Sequence, residues 1–245
     1  MSGPFRHASR GRIDRGTEVR FTFDGAEITG HSGDTVASAL LAHGVHLVGR
    51  SFKYHRPRGI LTAGSEEPNA LIRTSRAGDA ARAEPNTRAT LQELRAGLVC
   101  ESQNRWPSLR HDVGEINDRL HPLLSTGFYY KTFMWPKSFW DRVYEPLIRA
   151  SAGLGRAPTQ ADPDRYASRF HHCDLLVVGA GPAGLMAARA AARAGLEVTL
   201  VDESAEPGGA LLSEPHLRID GAPAWDWLAA TLAELRDLGV QIMCR

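Results

Sequence analysis

Apolar and polar residues alternate strictly near the start of the chain, where Val19, Phe21 and Phe23 are separated by single polar residues. A period of two is typical of a β-strand that buries one face. The dipeptide Asp24-Gly25 follows directly and favours a two-residue hairpin turn. The sequence therefore predicts a β-hairpin centred on this turn.

The spacing of apolar residues becomes helical after the hairpin. Asp34 can cap a helix that runs through Ala42. The apolar stripe of this helix consists of Val36, Ala39 and Leu40. Two further apolar segments, 45–48 and 69–73, are expected to be strands. Hairpin, helix and strands together predict a small α+β domain of the β-grasp type over residues 17–78.

Residues 79–170 are expected to form an irregular connecting segment. A helix is predicted over residues 87–98, with one apolar face formed by Leu91, Leu94 and Leu98. Residues 150–169 are rich in Gly, Pro and Asp, as a linker would be.

Aromatic residues are concentrated between Phe128 and Tyr144, which hold eight of the chain's 18 Phe, Trp and Tyr residues. Large rings dominate buried contacts between proteins, so this segment could form an interface with a partner. Rings also anchor irregular segments on their own domain. Both interpretations stay open.

A strand–glycine turn–helix–strand pattern marks a second domain over residues 171–245. The apolar run Leu175–Val178 is expected to form a strand buried on both faces of a parallel sheet. An Ala-rich stretch predicts the helix, and Val198–Val201 predicts the next strand.

The glycines between the first strand and the helix have the spacing of a dinucleotide fingerprint. Gly179 permits a sharp turn, Gly181 lets a pyrophosphate approach the backbone, and Gly184 lets the helix pack closely on the sheet. The N–H groups at the start of the helix favour the phosphates. A glycine turn that binds nothing is the alternative.

Asp202 follows the second strand and has the position of an acid that bonds a ribose 2′-OH. An acid there favours NAD or FAD over NADP, and Glu203 is the neighbouring candidate. A Gly-Gly turn shortly afterwards is given a supporting role. The candidate cofactor-binding residues are Gly179, Ala180, Gly181, Pro182, Ala183, Gly184, Asp202, Glu203, Gly208 and Gly209.

Residues 225–238 form an amphipathic helical pattern, and residues 240–243 form the beginning of a strand. Because a doubly wound nucleotide domain needs more strands to close its crevice, this domain is expected to be truncated and the chain to belong to a longer polypeptide. The predicted fold class is α/β, a β-grasp (ferredoxin-like, no cluster) domain followed by a partial Rossmann-type FAD/NAD-binding domain.

Composition narrows the class of protein. A net charge of +1 gives no global field for nucleic acid or an anionic membrane. No apolar run approaches the length of a transmembrane helix, and three scattered cysteines favour a reducing cytoplasm. Residues 1–16 contain four Arg and are expected to be a solvated, mobile arm.

The β-grasp pattern raises the question of a [2Fe–2S] cluster, which needs several cysteines in one loop. The loop 49–64 contains no cysteine, so no cluster is expected. That loop is basic, through Arg50, Lys53, His55, Arg56 and Arg58. An anion site is possible there, but a solvated turn is favoured, and Glu66 and Glu67 could pair with these cations. We identify no metal ligands and no catalytic residues.

Several stretches together resemble the α subunit of bacterial heterotetrameric sarcosine oxidase. They read RSFKYHRPRGILTAGSEEPNALI (Arg50 to Ile72), SQNRWPSL (Ser102 to Leu109), GFYYKTFMWP (Gly127 to Pro136), YEPLIR (Tyr144 to Arg149), AGLGRAP, DPDRY, HCDLLVVGAGPAGLMAA and VDE. The resemblance covers nearly all of the chain from about Thr17 onward.

The resemblance implies a subunit that works with β, γ and δ subunits to oxidise sarcosine to glycine with formation of H2O2. With tetrahydrofolate, the one-carbon unit leaves as methylenetetrahydrofolate. In such complexes the β subunit carries FAD and covalently attached FMN, and the α subunit carries NAD. The folate-binding part would lie outside this chain. The NAD role is carried onto Gly179, Gly181, Gly184 and Asp202, and catalytic residues are expected in a partner subunit.

Two other functions stay open. The chain could be a free-standing FAD- or NAD-dependent amine or opine oxidoreductase. It could also be a non-catalytic assembly module with a vestigial nucleotide site.

Overall fold

The computed structural model describes residues 3–122, 124, 126–127, 133, 135–151, 153–214 and 216–245. Two compact units divide the chain, one spanning Met1–Pro163 and the other Asp164–Arg245. The division falls inside the predicted linker, and each unit has its own hydrophobic core. Over the described ranges, no helix combines the length and the apolar character needed to cross a membrane.

The first unit is built on a five-stranded mixed sheet with the order β2-β1-β7-β5-β6. Its strands are β1 (Asp14–Phe23), β2 (Ala26–Ser32), β3 (Gly49–Arg50), β4 (Pro57–Arg58), β5 (Leu71–Arg76), β6 (Glu84–Arg88) and β7 (Leu98–Ser102). Its α-helices are α1 (Val36–Ala42), α2 (Ile116–Arg119) and α3 (Glu145–Ser151). Shorter 3-10 or π-helical turns cover Ala80–Arg82, Val113–Glu115, Lys137–Phe139 and Trp140–Tyr144.

The predicted hairpin is formed by β1 and β2, with Phe23 opposite Ala26. Asp24 and Gly25 have φ angles of +47° and +81°, as a tight hairpin turn requires. The turn is also joined to β7, because the Asp24 carboxylate accepts hydrogen bonds from the backbone N–H of Ser102 at 2.8 Å and from its hydroxyl at 2.6 Å.

Strand β7 lies at the centre of the sheet, between β1 and β5. It runs parallel to β1, with Thr22 opposite Val99, and antiparallel to β5. A parallel pairing of the first and last strands agrees with the predicted β-grasp type. Because β7 ends at Ser102, the sheet includes residues beyond 78, and the domain boundary predicted at residue 78 would divide it.

The helix predicted over residues 87–98 is wrong. β6 and β7 occupy the two ends of that range, and a loop joins them. Leu94 and Leu98 are 8% and 6% exposed, whereas Leu91 is 36% exposed. Two core residues on a loop and a strand therefore reproduced a helical spacing by coincidence.

The N-cap of helix α1 lies one residue after the predicted cap, Asp34. Thr35 is the N-cap, and its hydroxyl accepts the N–H of Ser38 at 3.2 Å. Asp34 is buried instead, and its carboxylate accepts two hydrogen bonds from the Arg6 guanidinium, at 3.0 and 2.7 Å. It also accepts the Ser38 hydroxyl at 2.6 Å and the N–H of His31 at 2.9 Å.

The N-terminal arm is anchored on α1. The N–H of Phe5 donates to the Ala42 carbonyl at 3.0 Å, and a Cβ on Gly3 would lie 2.0 Å from the same oxygen. The Arg6 side chain is only 10% exposed. Gly3 and Arg6 are therefore packed on the unit rather than solvated, in contrast to the expectation for residues 1–16. The mobility of the arm stays a prediction.

The strand predicted at residues 45–48 is also absent from the described sheets. The N–H of Val45 donates to the Leu40 carbonyl at 2.9 Å, and the N–H of Val48 donates to the Arg58 carbonyl at 3.0 Å. Val48 is fully buried. This apolar run fills the core after the helix without joining the main sheet.

The loop between β3 and β4 holds two of its basic residues inside the unit. Arg50 is buried, and its Nε and Nη2 donate to the Leu109 carbonyl at 3.0 and 2.7 Å. Its Nη1 lies 3.3 Å from a Glu115 carboxylate oxygen. His55 Nδ1 lies 2.5 Å from an Asp112 oxygen. Arg50 and His55 thus tie the loop to the segment after β7, in contrast to the predicted solvated turn.

Glu67 organises the loop between β4 and β5. It is 2% exposed, and one carboxylate oxygen accepts the N–H groups of Leu61 and Thr62, both at 2.7 Å. The other accepts the N–H groups of Asn69 and Ala70, at 2.8 and 3.2 Å. Burial by itself would raise the pKa of Glu67, but the four N–H donors outweigh it and hold that pKa below its usual range. Its predicted pairing with the basic loop is wrong, because backbone donors occupy both oxygens.

The aromatic segment is described only in part, since residues 128–132 and 134 lie outside the described residues. Trp135 is 84% exposed, and its carbonyl accepts the Tyr144 hydroxyl at 2.8 Å. The rings of Phe133 and Tyr144 lie 5.1 Å apart. These contacts lie within the segment, and its role as a partner interface stays a prediction.

The second unit contains a three-stranded parallel sheet with the order β12-β9-β8. Its strands are β8 (Leu175–Val178), β9 (Val198–Val201), β10 (Arg218–Ile219), β11 (Ala222–Pro223) and β12 (Gln241–Met243). Its helices are α4 (Pro182–Arg193) and α5 (Ala224–Asp237), and a 3-10 turn covers Gly209–Leu212. Helix α4 connects β8 to β9, as predicted, and the helix and strand predicted near the C-terminus are α5 and β12.

Strand β8 is covered on one face only. Leu175 and Val177 pack on the core formed with α4 and α5, whereas Leu176 and Val178 are 55% and 78% exposed. The expectation of a strand buried on both faces is therefore wrong for the described residues, because both helices contribute to the core on the same face.

Replacing Glu67 by Gln should lower the free energy of unfolding by about 2 kcal/mol, because an amide cannot accept four N–H groups with both of its ends. The folded-state pKa of Glu67 is depressed, so its contribution is complete above the unfolded pKa of about 4.3 and is lost as pH falls through the folded value. Urea denaturation between pH 3 and 7 measures both effects.

The neighbouring Glu66→Gln is the control, because Glu66 is exposed. It should change the unfolding free energy by less than about 0.5 kcal/mol. Equal destabilisation by the two substitutions would contradict the role given to Glu67.

Candidate dinucleotide-binding site

The candidate site lies where β8 ends and α4 begins. Gly179 has a φ of +103°, a conformation that favours glycine, and turns the chain out of the strand. Gly181 is the N-cap of α4, no side chain caps the helix, and Pro182 follows at its start. The first N–H groups of a helix lack intrahelical partners, so this end of α4 can accept an anionic group.

The glycines of the loop differ in what surrounds them. A Cβ on Gly184 would lie 1.8 Å from the Gly179 carbonyl oxygen, so only glycine lets α4 approach the strand end this closely. A Cβ on Gly181 would meet nothing within 4 Å. The backbone at Gly181 therefore faces open space in which a pyrophosphate could approach.

The Gly-Gly turn packs against the glycine loop. The N–H of Gly208 donates to the Ala180 carbonyl at 2.8 Å, and a Cβ on Gly209 would lie 3.0 Å from the Gly181 Cα. Both glycines have positive φ, +136° and +53°. The structure thus brings these two sequence-predicted residues beside the loop.

Asp202 follows β9 and contacts the loop directly. One carboxylate oxygen accepts the Ala180 N–H at 2.5 Å, and the other accepts the Ser204 N–H at 2.7 Å. Burial works to raise the pKa of Asp202, but these hydrogen bonds outweigh it and leave the pKa below its usual value. An ionised carboxylate has about four acceptor positions, so Asp202 can hold the loop and still accept a hydroxyl.

The remaining predicted residues lie around this centre. Ala183 is exposed in the first turn of α4, and Glu203 is exposed next to Asp202. His171 Nε2 lies 2.7 Å from the Thr199 hydroxyl on β9. Within the part of the chain that the structure describes, no group of three His, Cys, Asp or Glu side chains could hold a metal ion.

Cys244 is a neighbour of the site that sequence reasoning missed. Strand β12 pairs with β9, and the N–H of Asp202 donates to the Met243 carbonyl at 2.9 Å, which brings the next residue to the acid. Burial raises the pKa of the Cys244 thiol, and the charge of Asp202 raises it further. The signal was available, because the carboxyl ends of parallel strands meet at one edge of a sheet.

Two family models match the chain. Residues 16–105 match the 2Fe-2S iron-sulfur cluster binding domain, and residues 174–239 match the FAD dependent oxidoreductase family. The sarcosine oxidase subunit alpha of Rhizobium meliloti (strain 1021) is 58% identical over 242 residues, which are 98% of this chain and 24% of the relative. The chain is a homologue of sarcosine oxidase α subunits.

A second relative agrees with this relationship, and one solved structure shares the fold. The sarcosine oxidase subunit alpha of Corynebacterium sp. (strain P-1) is 38% identical over 232 residues, 95% of this chain and 19% of the relative. The crystal structure of L-proline dehydrogenase from P. horikoshii shares the fold, with a TM-score of 0.51 and 17% identity over 97% of this chain and 34% of that chain. The predicted resemblance is confirmed, and the chain spans about a quarter of the length of its Rhizobium relative.

The iron–sulfur family model raises again the question of a cluster, and the residues present do not fit one. A plant-type cluster takes four cysteine thiolates, and residues 16–105 contain only Cys100. Burial in the core raises the pKa of the Cys100 thiol to about 12, with a further contribution from Asp24. A buried, protonated thiol is a poor metal ligand, so residues 16–105 do not provide the ligand set of a plant-type cluster.

Two glycine substitutions distinguish the close helix–strand contact at Gly184 from the open backbone at Gly181. Gly184→Ala should lower the free energy of unfolding by about 2 kcal/mol, because its Cβ would collide with the Gly179 carbonyl oxygen. Gly181→Ala should cost less than about 1 kcal/mol, a small loss at an N-cap position with open space. Denaturant unfolding of both variants tests the difference, and equal losses would contradict the close contact.

Proposed function

We propose that this chain is the dinucleotide-binding part of a sarcosine oxidase α subunit and that it holds NAD. The observation that carries the proposal is the open backbone at Gly181, at the uncapped start of α4 and beside the turn at Gly208 and Gly209. A pyrophosphate there would meet the helix N–H groups without steric obstruction.

The acid after β9 supports an unphosphorylated ribose. Asp202 is ionised and is held in place by the N–H groups of Ala180 and Ser204. Its unused acceptor positions would receive a ribose hydroxyl, whereas its charge would repel a 2′-phosphate. Glu203 is exposed beside it and would provide a second acceptor at the edge of the site.

The role of the chain in sarcosine oxidation is proposed from its relatives. Proteins named sarcosine oxidase subunit alpha match almost the whole chain, so we propose that it works in a complex that converts sarcosine to glycine. No nucleophile paired with a base occurs among the described side chains of the site. The oxidation is therefore assigned to a partner subunit, with FAD and FMN held in or shared with the complex and folate bound outside this chain.

FAD in this chain is the second candidate, because residues 174–239 match a family of FAD dependent oxidoreductases. The same glycine loop and acid recognise the adenine, ribose and pyrophosphate that both dinucleotides share. The choice between NAD and FAD therefore depends on the group beyond the pyrophosphate.

Cofactor release from the tagged chain tests the proposal. The chain is purified from its own host with whatever copurifies, denatured, and the released nucleotides are separated by chromatography. NAD together with copurifying subunits and a flavin absorbance is the expected result. FAD alone without partners would favour a free-standing flavoprotein, and the absence of any nucleotide would contradict nucleotide binding by the chain.

Gly181→Val should remove the released nucleotide while the protein stays folded, because the side chain would fill the space reserved for the pyrophosphate. Ala187→Val is the matched control, since residue 187 is exposed on the same helix and outside the loop. Circular dichroism checks folding, and nucleotide content per protein checks binding. Unchanged nucleotide content in the Gly181 variant would place the binding site elsewhere.

A further inference from the structure

The first unit contains a polar cavity at the place where the N-terminal arm meets the hairpin. Its volume is about 330 Å³, well above the roughly 30 Å³ that one water molecule occupies in the liquid. The cavity is lined by Arg6, His7, Ala8, Arg15, Glu18 and His31. Four of these six side chains are basic, and they come from the arm, β1 and β2.

Buried nitrogen atoms without hydrogen-bond partners are concentrated at this cavity. Among the described residues, the buried side-chain nitrogen and oxygen atoms that lack a partner are Arg6 Nε, Arg15 Nε and His31 Nδ1. All three belong to residues that line the cavity, and His31 is only 6% exposed. A buried polar group without a partner is costly, so three at one cavity point to a ligand that forms hydrogen bonds with them.

The three groups are held in place by their other contacts. The terminal nitrogens of Arg6 bind Asp34 at 3.0 and 2.7 Å, and Arg15 Nη2 donates to the His7 carbonyl at 3.1 Å. The N–H of His31 donates to Asp34 at 2.9 Å. A bound ligand would therefore meet donors that are already fixed, which lowers the entropy lost on binding.

The charges around the cavity set the kind of ligand. Arg6 is neutralised by Asp34, and exposed Glu18 has its own interaction within the chain. Asp14 also acts electrostatically on His31. Arg15 and the two histidines remain as donors, which suits a small anion of low charge rather than a polyphosphate.

We propose that this cavity binds a small oxyanion, either a phosphate or a carboxylate group. The oxyanion would accept hydrogen bonds from Arg6 Nε, Arg15 Nε and His31 Nδ1. Since Arg6 belongs to the arm, Arg15 to β1 and His31 to β2, the bound anion would fasten the arm to the sheet. This site is independent of the dinucleotide loop, which lies in the other unit.

A nitrogen-15 NMR titration of the histidine rings in the 245-residue chain tests the proposal. Sodium phosphate and sodium acetate are added separately at constant ionic strength, with sodium chloride as the reference. The His31 ring signal should shift with saturation in one of the two titrations, and the anion that binds more tightly identifies the phosphate or the carboxylate class. A His31 signal that moves with neither anion beyond chloride would overturn the proposal.

Two substitutions locate the site. Arg15→Lys keeps the charge but removes Nε, and it should weaken anion binding about tenfold or more, as expected for loss of a charged hydrogen bond. Arg10→Lys is the control, because Arg10 is exposed and does not line the cavity. Equal affinities in the two variants would overturn the assignment. The wild-type titration decides the proposal by itself if the Arg15 variant does not fold.

Discussion

Ionised carboxylates that accept backbone N–H groups fix the turns and loops on which both units depend. Asp24 fastens the hairpin turn to the central strand, Asp34 joins the arm to the start of α1, and Glu67 closes the loop before β5. Asp112 accepts two N–H groups in the segment after β7, and Asp202 holds the glycine loop. Hydrogen bonds to a charged acceptor are stronger than neutral ones, so each of these side chains orders a segment that has little regular structure.

The sequence predicted the parts of the fold whose cause is local. The hairpin follows from alternation and the Asp24-Gly25 turn, and the β8–α4–β9 unit follows from apolar runs separated by glycines. Local patterns failed where tertiary packing decided the outcome. Leu94 and Leu98 reach the core from a loop and a strand, and Val48 is buried without joining the main sheet.

In the candidate site, too, the features with a local cause could be predicted and those that depend on tertiary structure could not. Gly179 and Gly184 could be assigned from spacing because Gly179 has a φ of +103° and a Cβ on Gly184 would collide with the Gly179 carbonyl oxygen. Gly181 could be assigned because a dinucleotide loop needs open backbone at that position. The hydrogen bond from Ala180 to Asp202 could not be assigned, since it depends on how two strands of the sheet are placed next to each other. The sequence assigned Asp202 only to the ribose, whereas in the structure its carboxylate also supports the glycine loop by accepting the Ala180 N–H.

Side-chain and backbone hydrogen bonds order the loops of the first unit, in which residues 16–105 match the 2Fe-2S iron-sulfur cluster binding domain. In a plant-type ferredoxin, four thiolates would bind the cluster, and metal–ligand bonds would restrain the loop. Here residues 16–105 provide one buried thiol, while Glu67 collects four backbone N–H groups and Arg50 reaches the Leu109 carbonyl. These contacts depend on protonation rather than on metal supply or redox state. They can therefore hold the sheet and the loops of this unit together without metal–ligand bonds.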